Sequence, residues 1–205
     1  MNILAIGAHP DDIEFGCGGA LIKYALKGHD VHLLVLTDGA QGGDAMERRR
    51  EQEAAAKLLG AQEIFWGGYA DTEVALDRDL IQKVEGFLHR VKPDLIFAHF
   101  GDDTHQDHRH LSTSVVTASR YARNVLLYEG PTTANFTPSV FVDIDAVLKR
   151  KLQALASHAS QIVKTGVEGL SIVDLARAAA HFRGIQGRVR NAEGFVPLRL
   201  FVNVD

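Results

Sequence analysis

Five short apolar runs punctuate the first 130 residues, and each is separated from the next by an amphipathic stretch long enough to form a helix. "NILAIGA" (2–8), "VHLLVLT" (31–37), "EIFWGG" (63–68), "DLIFAHF" (94–100) and "VLLYE" (125–129) read as strands. Helical patterns lie at 17–28, 47–59, 78–92 and 107–123. Gly60 is a good stop for the second helix, and the proline of "VKPD" (91–94) ends the third. Strands alternating with helices are joined by crossovers, nearly always right-handed, and so build a mostly parallel sheet. After residue 130 the pattern loosens. "SVFVDID" (139–145) reads as a strand leading into a helix at 145–157, a helical segment surrounds 171–184, and "FVPLRLFVNV" (195–204) reads as a last strand. Without a repeat, a low-complexity tract or a linker, the expectation is one domain over residues 1–205.

Composition narrows the function classes. A net charge of -4 gives no basic footprint for nucleic acid. No apolar run approaches the roughly 18 residues of a membrane span, and the N-terminus shows no secretion signal. Cys17, the single cysteine, cannot form an internal disulfide, which fits a reducing cytoplasm.

In open parallel sheets, ligands bind beyond the carboxyl ends of the strands. Both unusual polar clusters fall there. "HPDD" (9–12) follows the first strand and "DDTHQDHRH" (102–110) follows the fourth. Imidazole and carboxylate suit zinc and similar divalent ions, and two adjacent carboxylates would repel a phosphate. Proline fixes the backbone between His9 and Asp11, so the two aspartates can take different jobs. The plainer reading of "HPDD" is a cap for a helix starting near Cys17. In the second cluster, acidic residues sit well at a helix N-terminus, but two histidines around an aspartate do not. His9, one aspartate and His108 would make a three-ligand set, with Asp107 accepting a hydrogen bond from a neighbouring imidazole. "GCGG" (16–19) fails the dinucleotide pattern, because "GAHPDD" occupies the turn; its glycines are expected to give close helix packing and room for a substrate.

"AHPDD" after the first strand together with "HQDH" after the fourth resembles the PIG-L/LmbE-like family of zinc-dependent de-N-acetylases. "RRREQEAAAKLLG" (48–60), "FTPSVFVDI" (136–144), "HASQ" (158–161) and "NAEGF" (191–195) resemble further segments of that family, so the likeness covers nearly the whole chain. It implies a Rossmann-like three-layer α/β/α fold. It also implies one zinc, or another divalent ion, per chain, held by His9, Asp12 and His108. Asp11 matches the general base. His105 matches the imidazole that stabilises the oxyanion or protonates the leaving amine, and Asp107 the carboxylate that orients it. Arg48 matches an arginine that contacts the polar substrate. The implied reaction is removal of an N-acetyl group from a small N-acetylated sugar or glycoconjugate. Family members often assemble, which makes a homo-oligomer the expectation. Two other readings stay open: a zinc amidase on another small amide, such as a thiol conjugate, and a non-catalytic nucleotide-binding or regulatory module.

Overall fold

The computed structural model describes residues 1–202 of the chain. Its central sheet is built from β1 (Asn2–Gly7), β2 (Asp30–Thr37), β3 (Glu63–Tyr69), β4 (Leu95–His99), β5 (Val125–Tyr128), β6 (Val140–Asp143) and β7 (Ala192–Arg199). Their order is β3-β2-β1-β4-β5-β7-β6. The first five strands are parallel, and β7 lies antiparallel between β5 and β6. The helices are α1 (Asp12–Leu26), α2 (Ala45–Leu59), α3 (Arg78–Val91), α4 (Gln106–Ala118), α5 (Leu148–Ala156) and α6 (Ile172–Gly187).

Alternation along the strands explains the three layers. Ile3 and Ala5 of β1 pack with residues of α1, α2, α5 and α6, whereas Leu4 and Ile6 pack with Leu80 and Val84 of α3 and Leu111 and Val115 of α4. A strand buried on both faces needs apolar residues at every position, which is why the runs are continuous. The chain turns one way from β1 to β2 and the other way from β4 to β5. The neighbours β1 and β4 therefore flank the switch point, and the segments that follow them emerge side by side.

The elements differ from the sequence expectation at their ends. Helix α1 starts at Asp12, not near Cys17, so all four residues of "GCGG" lie inside it. A Cβ on Gly16 would sit 2.1 Å from the Tyr128 ring, and one on Gly19 would sit 2.7 Å from Ile144. These glycines admit neighbours against the helix; none of them lines the site described below, so the expected room for a substrate is not their role. The same bare surface lets the buried Glu193 carboxylate reach the Gly19 and Ala20 amides, each at 2.7 Å, while Lys151 Nζ donates to Glu193 at 2.6 Å and to the Phe15 carbonyl at 2.6 Å. Helix α4 ends at Ala118, and the last strand runs from Ala192 to Arg199; residues 203 and 204 of the expected strand lie outside the described residues. Among the described residues no helix is long and apolar enough to cross a membrane.

Tyr128 is fully buried and its hydroxyl donates to the Ile6 carbonyl at 2.7 Å, so the ring cannot swing away from α1. Gly16→Ala is therefore expected to destabilise the protein by about 1–3 kcal/mol, the usual cost of overpacking, measurable as a lower midpoint in urea unfolding.

Candidate metal centre

The turn after β1 has an unusual backbone. Asp11 caps α1 with φ 96°, in the left-handed region, and its side chain makes no capping bond. The carboxylate is left free to point elsewhere. Asp12, the first helical residue, accepts the His9 amide at 2.7 Å, which folds the turn back on itself. After β4, His105 caps α4, and its Nδ1 accepts the Asp107 amide at 3.2 Å.

Because β1 and β4 are adjacent, the two segments converge. His9 Nδ1 lies 3.3 Å from His108 Nε2. Asp12 places Oδ2 3.5 Å from His9 Nδ1 and Oδ1 3.4 Å from His108 Nε2. Ligands 2.0–2.1 Å from a tetrahedral zinc stand about 3.3 Å from one another, so these donor separations fit such an ion. The far nitrogen of each imidazole meets carboxylate. His9 Nε2 is 2.9 Å from Asp71 Oδ1 and 3.1 Å from Asp107 Oδ2, and His108 Nδ1 is 3.2 Å from Asp103 Oδ2. A carboxylate behind a ligating imidazole fixes its tautomer and raises its basicity. Other groupings overlap this one: His9 with His105 and His108, Asp12 with His99 and His108, and His9 with Asp71 and Asp107. The first two share His108 with this set, whereas the third gathers on the far nitrogen of the His9 ring.

The electrostatics point the same way. Burial alone would lower the His9 pKa, but hydrogen bonds to Asp107, Asp12 and Asp71 push it up to about 12. His108 is likewise opposed by burial and is raised to about 9 by Asp12 and Asp103. His99, buried and stacked on His108 at 4.0 Å between ring centroids, is lowered to about 4, chiefly by burial and then by the His108 charge. Asp12 is driven well below the carboxylate range: burial opposes ionisation, and the charges of His108 and His99 overcome it. The surroundings thus stabilise positive charge at one point.

The family model for PIG-L, GlcNAc-PI de-N-acetylase, matches residues 4–119, more than half of the chain and both polar clusters. The chain belongs to the PIG-L family. It is 36% identical over 168 residues to the uncharacterized deacetylase YaiS of Escherichia coli, covering 78% of this chain and 91% of that protein. The N,N'-diacetylchitobiose deacetylase of Pyrococcus horikoshii superposes with a TM-score of 0.85 at 28% identity, over 96% of this chain and 83% of the other. The 4-oxalmesaconate hydratase of Pseudomonas putida is 28% identical over 191 residues, covering 78% of this chain and 74% of that one.

Seen as a PIG-L protein, the chain opens its two clusters onto a cleft of about 400 Å³. His9, Asp11, Asp12, Arg48, His105 and His108 all line it, together with Asp71, which the sequence reading missed. Asp107 sits behind them. It was expected to orient His105, but its Oδ2 accepts from His9 and from the Thr72 amide at 2.9 Å. The reason is local: the capping geometry gives His105 Nδ1 to the Asp107 backbone, which leaves the carboxylate free to turn inward. Asp103, read as an ordinary helix-terminal acid, is buried against His108 and also accepts from Thr132 and Thr133. His158 does not line the cleft; it is fully buried 3.6 Å from Glu14.

These shifts predict a pH response in protein stripped of metal by chelation. At pH 7 His9 and His108 should be protonated and His99 neutral, read from imidazole NMR titrations. A raised histidine pKa adds stability in full only below the unfolded value of about 6.5, and the gain is lost as pH rises through the folded value. Stability of the stripped protein should therefore decline from near neutrality through the His108 value of about 9.

Proposed function

We propose that this chain is a zinc-dependent hydrolase that removes the N-acetyl group from a small N-acetylated sugar or glycoconjugate. The observation that carries the reading is the convergence of His9 Nδ1, Asp12 Oδ1 and Oδ2 and His108 Nε2 within 3.3–3.5 Å at the floor of the cleft. These three residues would hold the ion. The choice among the overlapping groupings follows from their hydrogen bonds. His99 Nε2 already receives the Ala8 amide at 3.2 Å, and His9 Nε2 faces Asp71 and Asp107, which leaves His9 Nδ1 for the ion. Two of the three relatives described above are named as deacetylases, one of them for diacetylchitobiose, which supports amide hydrolysis on an N-acetyl sugar.

The ion's contribution is to lower the pKa of a bound water from near 16 to about 7 and to polarise the amide carbonyl. The remaining work belongs to the protein. Asp11 is the general base. Its pKa is raised to about 6, burial being the largest cause, while His158, Arg48 and His9 pull the other way. It is thus ionised at neutral pH yet basic enough to take a proton from water, and a base so placed contributes typically about 10²–10⁴-fold. His105 is half-buried at the cleft edge. Because Nδ1 accepts the Asp107 amide, the neutral ring carries its proton on Nε2. That N–H donates to the oxygen where negative charge develops, a contact worth several kcal/mol in other acyl-transfer sites, roughly 2.7–4. Burial, then the neighbouring His9 and His108, lowers the His105 pKa, which keeps the ring neutral. The proton for the departing amine is then the one held by Asp11. Asp107 and Asp71 orient His9, and Asp103 orients His108. We place the enzyme in the cytoplasm and treat residues 1–205 as one domain.

Three outcomes are expected. Purified protein should contain about one zinc per chain by metal analysis, lost in His108→Ala. Asp11→Asn should keep the metal but lose turnover by about 10²–10⁴-fold; unchanged turnover removes Asp11 as base. Protonated Asp11 cannot accept a proton, so kcat/KM should fall toward acid, breaking at or below about pH 6, because a bound cation lowers this carboxyl further. Acetate release across a panel of N-acetyl sugars, glycoconjugates and thiol conjugates identifies the substrate class.

A further inference from the structure

The segment from Ile162 to Ile172, which leads into α6, stands at the mouth of the cleft. Lys164 and Thr165 line the cleft from within it, and Gln161, Ile172 and Leu175 line it at either end. The Ile172 amide donates to the Ile162 carbonyl at 2.8 Å and closes the segment into a loop. Inside the loop, the Thr165 hydroxyl accepts the Val167 amide at 3.1 Å and donates to the Leu170 carbonyl at 2.9 Å. Gly166 and Gly169, with φ 73° and 77°, let the chain wrap so closely around one hydroxyl. Across the mouth, Gln161 Nε2 donates to the Gly42 carbonyl at 3.2 Å, and Lys164 Nζ donates to the same oxygen.

The loop's polar groups thus turn inward or toward Gly42, and what it presents outward is apolar. Val163, Val167 and Leu170 are 79%, 50% and 42% exposed. Single apolar side chains in water are ordinary, but three within eight residues beside a cleft mark a surface that a ligand covers. The charged residues of the loop, Lys164 and Glu168, are one of each sign, so it has no net charge with which to select an ion. Ile172 and Leu175 continue the same character inward. Both are half-buried, packed against the core on one side and lining the cleft on the other. An apolar edge therefore runs from the cleft wall out onto the loop. Substrate chemistry says what lies along it. In a 2-acetamido sugar the amide sits on the carbon beside the anomeric one. With that amide at the floor, the aglycone leaves the ring close to the reacting group and has to follow a wall to reach solvent.

We infer that Ile172, Leu175 and the loop residues Val167 and Leu170 form an aglycone subsite, and that the substrate is an N-acetyl sugar bearing an apolar alkyl or aryl aglycone. The inference rests on the deacetylase reading for which end of the ligand reacts. Acetate release from the methyl, butyl and hexyl glycosides of N-acetylglucosamine tests it. KM should fall about tenfold from methyl to hexyl, the effect of burying a few methylenes, with kcat within about threefold. Val167→Ser combined with Leu170→Ser, both at exposed positions, should cut that preference below about threefold. Calorimetric titration needs no turnover. Hexyl glucosaminide, the product amine, should bind the wild type about tenfold more tightly than the methyl compound and with a more negative heat-capacity change. Both differences should shrink in the double variant. Equal KM along the series overturns the inference and leaves the deacetylase reading in place. So does a double variant that keeps the hexyl preference, or one that changes only the association state of the protein, which would put the loop against another copy. If no glycoside releases acetate while the hexyl amine still binds through the loop, the reaction is misread and the apolar subsite stands.

Discussion

Four buried carboxylates around two imidazoles set the terms for this half of the molecule. Asp12, Asp71, Asp103 and Asp107 are each at most 7% exposed, and they face His9 and His108. Buried charge is tolerated only where it is paired. Two imidazolium protons supply two positive charges; a divalent cation held there would supply the same two while returning both rings to the neutral form. Cation uptake is then an exchange of one divalent charge for two protons, so the cluster's net charge does not change. The cluster can thus fold before it is loaded, which a set of bare carboxylates could not do.

That cluster depends on the sheet. A parallel order with β1 beside β4 is what lets segments about 95 residues apart meet in one cluster, and burial on both faces of those strands keeps their ends in register. Helix α2 adds the second support. Its contacts to Pro10 and Asp11 tie the first polar segment to the Gly39–Gly42 loop, and Glu51 ties it to Ser160 at 2.7 Å. The walls of the cleft are thereby fastened to its floor by one helix.

The period of apolar residues made five parallel strands legible, since strands buried on both faces leave an uninterrupted apolar signature. The pair "HPDD" and "HQDH" was legible because imidazole flanked by carboxylate is unusual at strand and helix ends. Other parts were not. The start of α1 was placed near Cys17 because "HPDD" reads as a turn and glycines are poor helix formers; their cost of about 1 kcal/mol each in a helix is offset by the close approach of Tyr128, Leu59 and Ile144, which no local pattern reveals. Asp71 and Asp103 carry no local mark either: one lies in a loop after β3, the other looks like any acid before a helix. Their roles arise only when β3 and β4 bring them behind His9 and His108. The residues alone gave Asp107 an imidazole partner without saying which; the resemblance implied His105, whereas the helix cap occupies that ring's Nδ1 and the carboxylate meets His9 instead.

A hydratase stands beside deacetylases among the relatives, so proteins similar to this chain differ in what they act on. A multiply carboxylated substrate needs cations to receive it, and leaving a carboxylate desolvated beside other carboxylates costs several kcal/mol. The cleft carries both signs of charge. Asp11, Asp12 and Asp71 line it beside His9 and His108, Arg48 donates to the Pro10 carbonyl, and Lys164 donates to the Gly42 carbonyl. Gln41, Thr72, Thr132 and Thr165 suit hydroxyl groups, and Pro131, Ile172 and Leu175 suit the apolar face of a sugar ring. The cleft thus joins a floor of imidazoles and carboxylates to walls that carry hydroxyl and amide groups beside an apolar edge.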